Sequence, residues 1–235
     1  MSAALTTPAA PFVIALDGPA ASGKSSVGLG AARQLGLRYF DTGLLYRVLT
    51  WLAQQHAIPP TDGAALAALV DRLDIDIDVD STGRVFQAGN DITAELHQPA
   101  VDAAVSAVSA HGAVREAMRP AQRALIQPPG LVMAGRDIGT VIAPEAPLKI
   151  WLNASVEERA RRRAAQTGAD YDHVLAAMRG RDRHDAARAV APMTRAADAI
   201  EIDTEGVSAD AVIQRIVELA RERGANTAPQ TRDSA

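Results

Sequence analysis

The 235-residue chain contains no cysteine, only 3% aromatic residues and no long apolar run. Without cysteine it can form no disulfide, no Cys-ligated zinc site and no thiol nucleophile. No stretch approaches the roughly 18 apolar residues of a membrane span, so we expect no membrane partner. The net charge of −4 is not the basic excess of proteins that coat nucleic acid, so we expect no nucleic-acid partner either.

The apolar content of 48% is enough for one core, or one core with a small insert. Residues 1–16 carry no charge, but the segment lacks a basic start and is interrupted by Pro8 and Pro11. We therefore expect no signal peptide and a cytoplasmic protein. Residues 1–11 are expected to be a disordered leader and 224–235 a disordered tail, which leaves a domain over 12–223.

Short apolar segments alternate with helical ones along this domain. The expected strands are 12–16, 39–40, 131–134, 148–152 and 199–202, and the expected helices are 24–35 and segments that begin near Gly43, Ser155 and Ser208. Ser155 and Glu158 have the spacing of a capping box. Strands separated by helices predict an α/β fold with a central parallel sheet flanked by helices.

One region departs from this order. Asp74–Asp80 alternates strictly between acidic and apolar residues, and 84–88 can return beside it as an antiparallel strand. We expect a small antiparallel insert over about 70–107. The aspartates are interpreted as a solvated strand face, because a calcium loop would need a glycine turn and a distal glutamate.

The segment Gly18–Ser25 matches G-x-x-x-x-G-K-[ST], with a strand before it and a helix after it. In such a loop the glycines let backbone N–H groups converge on phosphates at a helix N-terminus. Lys24 would reach the β- and γ-phosphates, and Ser25 would offer its hydroxyl to Mg²⁺. The motif predicts a nucleoside triphosphate site with Mg²⁺.

Charged residues follow a second strand. Gly135-Arg136-Asp137 comes directly after 131–134. The carboxyl ends of parallel strands are where open α/β sheets bind ligands, so this segment is either part of the site or a surface turn.

Two further groups of charges lie near the C-terminal half. Arg181, Asp185 and Arg188 would share one face of a helix, as a structural ion-pair face or as ligand contacts. Arg159, Arg161, Arg162 and Arg163 would form a solvated helix face or a mobile arm that brings guanidinium groups to a phosphate.

These motifs together resemble the bacterial cytidylate kinases over about residues 12–222. The matching blocks are Ile14–Ser25, Phe40–Arg47, Val114–Ala117, Ala134–Thr140 and Arg181–Asp182, followed by Asp185 and Arg188–Pro192. The resemblance implies a P-loop nucleoside monophosphate kinase core, with the insert in its monophosphate-binding part and a helical lid over about 155–185. The implied reaction is ATP- and Mg²⁺-dependent phosphorylation of CMP, and of dCMP, to CDP and dCDP in pyrimidine nucleotide metabolism. We expect a monomer.

The resemblance also implies site residues. ATP would be held by Gly18, Pro19, Ala20, Ala21, Ser22, Gly23, Lys24, Ser25 and Ser26. Thr42, Arg47, Arg136 and Arg188 would meet the acceptor phosphate, Arg181 and Asp185 the ribose, and Ser106, Arg115 and Asp137 the cytosine. Lys24, Arg136, Arg188 and the lid residue Arg162 would be catalytic.

The chain departs from the family pattern in three places. Leu96-His97 replaces an expected Ile-Arg pair, and Thr42 replaces the commoner serine but keeps the hydroxyl. Pro120 lies inside an expected helix and should kink or end it, because an interior proline costs about 3 kcal/mol.

Two alternatives remain open from the sequence. One is a kinase of the same architecture that acts on UMP, AMP or shikimate. The other is a P-loop switch, although the Asn-Lys-x-Asp motif of guanine-selective switches is absent.

Overall fold

The computed structural model describes residues 10–73, 75–77, 84–188 and 190–225. The strands are β1 (Phe12–Asp17), β2 (Arg38–Asp41), β3 (Ile75–Ile77), β4 (Val85–Gln87), β5 (Asn90–Asp91), β6 (Gly130–Gly135), β7 (Leu148–Asn153) and β8 (Ile200–Asp203). The helices are α1 (Lys24–Leu35), α2 (Gly43–Gln55), α3 (Gly63–Val70), α4 (Pro99–Ala110), α5 (Gly112–Ala124), α6 (Val156–Thr167), α7 (Tyr171–Ala186) and α8 (Ala209–Glu222). A 3₁₀ turn spans Glu95–His97 and a π-helical turn Ile138–Ile142.

Several expectations lie wholly or partly outside the described residues. They are the disordered leader, for residues 1–9, the disordered tail, for 226–235, and most of the acidic segment 74–80. Within the described ranges, no helix combines the length and the apolar character needed to cross a bilayer.

Five strands form a parallel sheet in the order β2-β6-β1-β7-β8. The central strand β1 pairs with β6 on one side and β7 on the other, and Asp17 aligns with Gly135. Because all five strands are parallel, their carboxyl ends meet at one edge of the sheet. The expected central parallel sheet is confirmed, and this edge gathers the loops after β1, β2 and β6.

The core lies on both faces of the sheet. Val13 and Ala15 of β1 face one apolar cluster, and Ile14 and Leu16 face the other, as alternation along a doubly buried strand requires. Helices α2 to α5 cover the first face, and α1 and α8 cover the second. Each fully buried leucine or isoleucine in these clusters contributes about 1.5–3 kcal/mol.

The expected antiparallel insert is confirmed as a second, three-stranded sheet. Strand β4 pairs with β3 on one side and β5 on the other, both antiparallel. Val85 of this sheet packs with Ile92, Leu96 and Val48 of α2. The insert is thereby attached to the helix that carries Arg47.

Side-chain caps begin two of the expected helices. The Ser155 hydroxyl accepts a hydrogen bond from the Glu158 amide, and the Ser208 hydroxyl accepts one from the Ala211 amide. Such caps are each worth about 1 kcal/mol. The second half of the expected capping box is not made, because the Ser155 amide donates to Glu205.

Two local expectations need correction. Pro120 does not end α5, which continues to Ala124, because Val114 and Met118 are fully buried in the core and outweigh the missing hydrogen bond. Helix α7 ends at Ala186, so Arg188 is not on the helix. The chain turns after Ala187, and the Met193 amide then donates to the Asp185 carbonyl.

Gly130 provides a test of how β6 begins. Its φ is +145°, and a Cβ there would lie 2.2 Å from the Phe12 carbonyl oxygen. We expect Gly130→Ala to lower the free energy of unfolding by at least about 2 kcal/mol, measured by urea denaturation. The control is Gly180→Ala within α7, where nothing lies within 4 Å, and which should gain about 0.5–1 kcal/mol. Equal effects of the two substitutions would contradict the described backbone.

Candidate active site

The loop between β1 and α1 is shaped by its backbone. Gly18 and Gly23 have positive φ values of +148° and +95°, and Ala21 has a φ of 58°, which costs an L-residue about 1–2 kcal/mol. A Cβ on Gly18 would lie 2.2 Å from the Leu152 carbonyl oxygen, so only glycine fits. The curled loop is thus imposed by close packing against β7.

Lys24 begins α1 and points back into this loop. Its ammonium donates to the carbonyls of Gly18 and Pro19, both at 2.7 Å, and only 6% of the residue is exposed. Burial lowers the pKa of Lys24, and the nearby Arg136 charge lowers it further. A cation in this position is held at the center of the loop.

Ser25 and Asp41 place two oxygen atoms that could ligate a hard metal ion beside Lys24. The Ser25 hydroxyl donates to Asp41 Oδ2 at 3.3 Å, and Asp41 Oδ1 accepts from the Gly43 amide at 2.9 Å. Among the described residues there is no group of three or more His, Cys, Asp or Glu side chains that could hold a metal. One hydroxyl with one carboxylate suits Mg²⁺, which keeps water and substrate phosphates as its other ligands.

Asp137 follows β6 and forms a buried ion pair with Arg115 of α5. The distance from Arg115 Nη2 to Asp137 Oδ2 is 2.6 Å, and both side chains are less than a tenth exposed. Arg115 also donates to the Ser109 carbonyl at 3.0 Å and lies 5.3 Å from the center of the Tyr46 ring. The pair therefore presents one fixed acceptor next to one fixed donor.

Asp185 gathers two arginines. It is 1% exposed and accepts from Arg136 Nε at 3.3 Å and from Arg188 Nη2. Arg181 makes no hydrogen bond through its buried Nε to any described residue, and the same holds for Nε and Nη1 of Arg188. Burial and the Arg136 charge lower the pKa of Arg181 to about 10. Several buried donors are thus available for an anion.

The remaining acceptor residues come from α2 and α4. The Thr42 hydroxyl donates to the Ala134 carbonyl at 3.0 Å, which links α2 to β6. Arg47 donates to the Leu96 carbonyl and to Asp102, both at 2.7 Å. Ser106 lines the same space through α4. The unexpected residue Leu96 thus supplies Arg47 with a backbone contact.

The arginines of α6 do not act as one group. Arg159 is 4% exposed and donates to the carbonyls of Ala154 and Ala20 and, at 2.6 Å, to Asp182. It is therefore not part of a solvated face, which corrects that interpretation for this residue. Its three bonds connect α6 with α7 and with the Gly18–Gly23 loop.

Arg162 has a different position. It donates to Glu158 and to the hydroxyl and carbonyl of Thr204, and it lines the cleft together with Arg163. Arg161 pairs with Glu158 and is 65% exposed in its side chain, so it fits the solvated face.

All these elements line one cleft of about 1070 Å³. It contains every predicted site residue except Gly18 and Pro19, which contact Lys24 through their carbonyls. The described residues that line it include eight basic side chains, against five carboxylates. The cleft is therefore positive in a chain whose net charge is −4, which suits an anionic ligand.

Comparison with known proteins identifies the family. A family model described as cytidylate kinase matches residues 14–222. Over 218 residues the chain is 45% identical to the cytidylate kinase of Mycobacterium leprae, covering 90% of this chain and 96% of that protein.

The chain belongs to the cytidylate kinase family.

This family member also matches a longer protein and a solved structure. It is 45% identical over 230 residues to the bifunctional pantoate ligase/cytidylate kinase of Synechococcus elongatus. That match covers 93% of this chain but 44% of the relative, so the chain spans less than half of such bifunctional proteins. A solved structure of an uncharacterized protein from Eubacterium ventriosum has the same fold, at 14% identity and a TM-score of 0.50, covering 90% of this chain and 98% of that one.

The cleft of this cytidylate kinase family member includes or adjoins residues that the sequence analysis did not select. They include Asp17, Asp41, Tyr46, Ser109 and Thr204. Asp17 and Asp41 end β1 and β2, so the reasoning that selected Asp137 by its place after a strand could have found them. Ser109 and Thr204 act mainly through backbone and hydroxyl contacts that no sequence pattern indicates.

Asp17 gives a pH-dependent prediction. Burial, and then the nearby Asp137 charge, raise its pKa from 3.8 to about 6, although the amides of Gly139 and Ile138 and the Lys24 charge oppose the shift. The folded state thus binds this proton more tightly than the unfolded chain does. Protonated Asp17 therefore adds about 3 kcal/mol to the free energy of unfolding. This contribution is complete below pH 3.8 and is lost as the pH rises through 6.

We expect the free energy of unfolding of the wild type, relative to Asp17→Asn, to fall by about 2–2.5 kcal/mol between pH 4 and pH 7, because part of the contribution is already lost at pH 4. All other titrating groups are present in both proteins, so their contributions cancel in the difference. Urea denaturation of both proteins across this range measures the difference, and a constant difference would contradict the prediction.

Proposed function

We propose that this chain catalyses the transfer of the γ-phosphoryl group from ATP to CMP, and to dCMP, giving ADP and CDP or dCDP. The observation that carries the proposal is that one positive cleft joins the Gly18–Ser25 loop to the buried Arg115–Asp137 pair. A phosphate-binding loop and a base-reading pair in one space suit transfer between two nucleotides.

The donor nucleotide is assigned to the loop and the start of α1. The loop residues from Gly18 to Ser26 would hold the ATP phosphates, and Lys24 would exchange its loop carbonyls for phosphate oxygens. Mg²⁺ would be held by Ser25, with Asp41 close enough to bind through water. When bound, the metal neutralises charge on the transferring phosphate.

The acceptor base is assigned to Arg115 and Asp137. Cytosine presents an amino donor at position 4 and acceptors at N3 and O2, which complement the Asp137 carboxylate and the Arg115 guanidinium. Ser106 would assist from α4. With uracil the carboxylate would face a carbonyl, and both protein groups would be desolvated without partners, which is how polar sites reject close analogues.

The acceptor phosphate is assigned to arginines. Arg47, Arg136 and Arg188, together with Thr42, would hold it in line with the γ-phosphate. Arg181 and Asp185 would contact the ribose. The attacking oxygen belongs to an ionised phosphate, so no general base is needed, and catalysis comes from positioning and charge stabilisation.

Closure over the two nucleotides is assigned to α6 and α7, the helices of the expected lid. Arg162 would leave Glu158 or Thr204 to reach the transferring phosphate. Excluding water at that stage suppresses hydrolysis of ATP.

The wider setting follows from the same assignment. We propose a cytoplasmic monomer that acts on free nucleotides. The ligase activity named for the bifunctional relatives is not proposed for this chain, which aligns with less than half of their length.

The direct test compares acceptors. We expect ADP release with MgATP to be fastest with CMP and dCMP and at least about a hundredfold slower in kcat/KM with UMP, because two polar contacts are lost. AMP and shikimate should be poorer still. A preference for UMP or AMP would assign the cleft to another kinase of the same architecture, and ATP turnover without any of these acceptors would favour a switch.

Asp137→Asn tests the assignment of the base. The amide can present either a donor or an acceptor, so kcat/KM for CMP should fall by about ten- to a hundredfold while UMP is affected less. The measurement is the CMP/UMP ratio of kcat/KM. Asp198→Asn is the matched control, since Asp198 is an exposed partner of Lys149. An unchanged ratio in the Asp137 variant would show that Asp137 does not read the base.

A further inference from the structure

Asp17 connects two parts of the cleft that lie far apart in the sequence. It ends β1, it is 5% exposed, and its two carboxylate oxygens accept from two consecutive backbone amides. Oδ1 accepts from the Ile138 amide at 2.9 Å and Oδ2 from the Gly139 amide at 2.8 Å. Both oxygens of the side chain are therefore bound to one turn of the backbone.

That turn directly follows Arg136 and Asp137, the residues assigned to the acceptor. On its other side, Asp17 directly precedes Gly18, whose carbonyl holds the Lys24 ammonium at 2.7 Å. One carboxylate thus lies between the loop assigned to the donor phosphates and the segment assigned to the acceptor. Any displacement of one relative to the other must change the two amide contacts of Asp17.

The fold does not need this carboxylate to hold the strands together. The backbones of β1 and β6 are already paired from Phe12 and Gly130 to Asp17 and Gly135. A buried carboxylate is costly, and the raised pKa of Asp17 reflects that cost. The remaining effect of the side chain is to orient the turn beyond Gly135, where strand pairing has ended.

We propose that Asp17 is a positioning residue for the phosphoryl transfer. It sets the placement of Arg136 and Asp137 relative to the Gly18–Ser25 loop. This inference rests on the proposed function. In-line transfer depends steeply on the separation of the reacting groups, and a misplacement of about 1 Å can cost roughly a hundredfold in rate. Asp17 acts without touching either nucleotide.

The test is Asp17→Asn in the full chain. Asparagine keeps one acceptor but turns an N–H group toward the second backbone amide, so one of the two contacts is lost. We expect kcat with CMP to fall by about 30- to 100-fold and the CMP/UMP ratio of kcat/KM to narrow. The KM for MgATP should stay within about twofold, since the loop itself is unchanged.

The control is Ile216→Val in α8, a fully buried position in the core cluster on the opposite face of the sheet. It should lower the thermal midpoint without changing kcat or the CMP/UMP ratio. If Asp17→Asn changes stability alone, as this control does, Asp17 is merely structural and the inference is wrong. A wild type that is inactive with CMP would instead overturn the proposed function.

Gly139→Ala changes the backbone partner of Asp17 instead of Asp17 itself. It tests the inference independently if Asp17→Asn does not fold. A Cβ there would lie 3.2 Å from Lys149 Cδ and 3.4 Å from Asp17 Oδ2, so the turn must shift slightly. A smaller loss of kcat with a narrowed CMP/UMP ratio supports the inference. Wild-type kinetics with a lowered thermal midpoint contradict it.

Discussion

The cleft depends on holding several buried cations close together. Lys24, Arg136, Arg181 and Arg188 repel one another, and burial lowers the pKa of three of them. Asp185 offsets part of this repulsion by accepting from Arg136 and Arg188, and it is itself almost completely buried. Removing one partner from such a cluster leaves uncompensated charge, which usually costs about 3–5 kcal/mol. The buried arginines and Asp185 therefore stabilise the folded cleft only when all of them are present.

The second constraint is the edge of the parallel sheet. The carboxyl ends of β1, β2 and β6 bring polar side chains to the cleft. β1 ends at Asp17, β2 ends at Asp41, and Arg136 and Asp137 directly follow β6. This arrangement requires no long-range electrostatic guidance, because parallel pairing alone brings the strand ends together. The apolar cluster on the first face of the sheet then fixes α2 and α5, which supply Arg47 and Arg115.

Much of this architecture could be predicted from local sequence. The strands, most helix starts and the triphosphate loop follow from patterns shorter than about ten residues, where periodicity and turn chemistry act directly. The antiparallel insert was predictable because 84–88 follows an alternating segment after a glycine turn. Long-range contacts were not: Arg159 has the same local signature as Arg161, yet one is buried between helices and the other is exposed.

Local sequence also did not predict where α7 ends or that α5 continues through Pro120. Both depend on packing that propensity does not contain, since Val114 and Met118 hold α5 in the core. The resemblance to cytidylate kinases selected the residues of the cleft, but it did not select Asp17 or Thr204. Their contacts join segments more than a hundred residues apart.

The strand order has a consequence for synthesis. β1 is made well before its neighbour β6, because Phe12 aligns with Gly130, more than a hundred residues later in the chain. At roughly 5–20 residues per second, β1 must wait about 6–24 s for that partner. During this time Val13, Ile14 and Leu16 remain a short, uncharged, apolar segment that can pair with other chains. We therefore expect the nascent chain to be most prone to aggregation before β6 has been made.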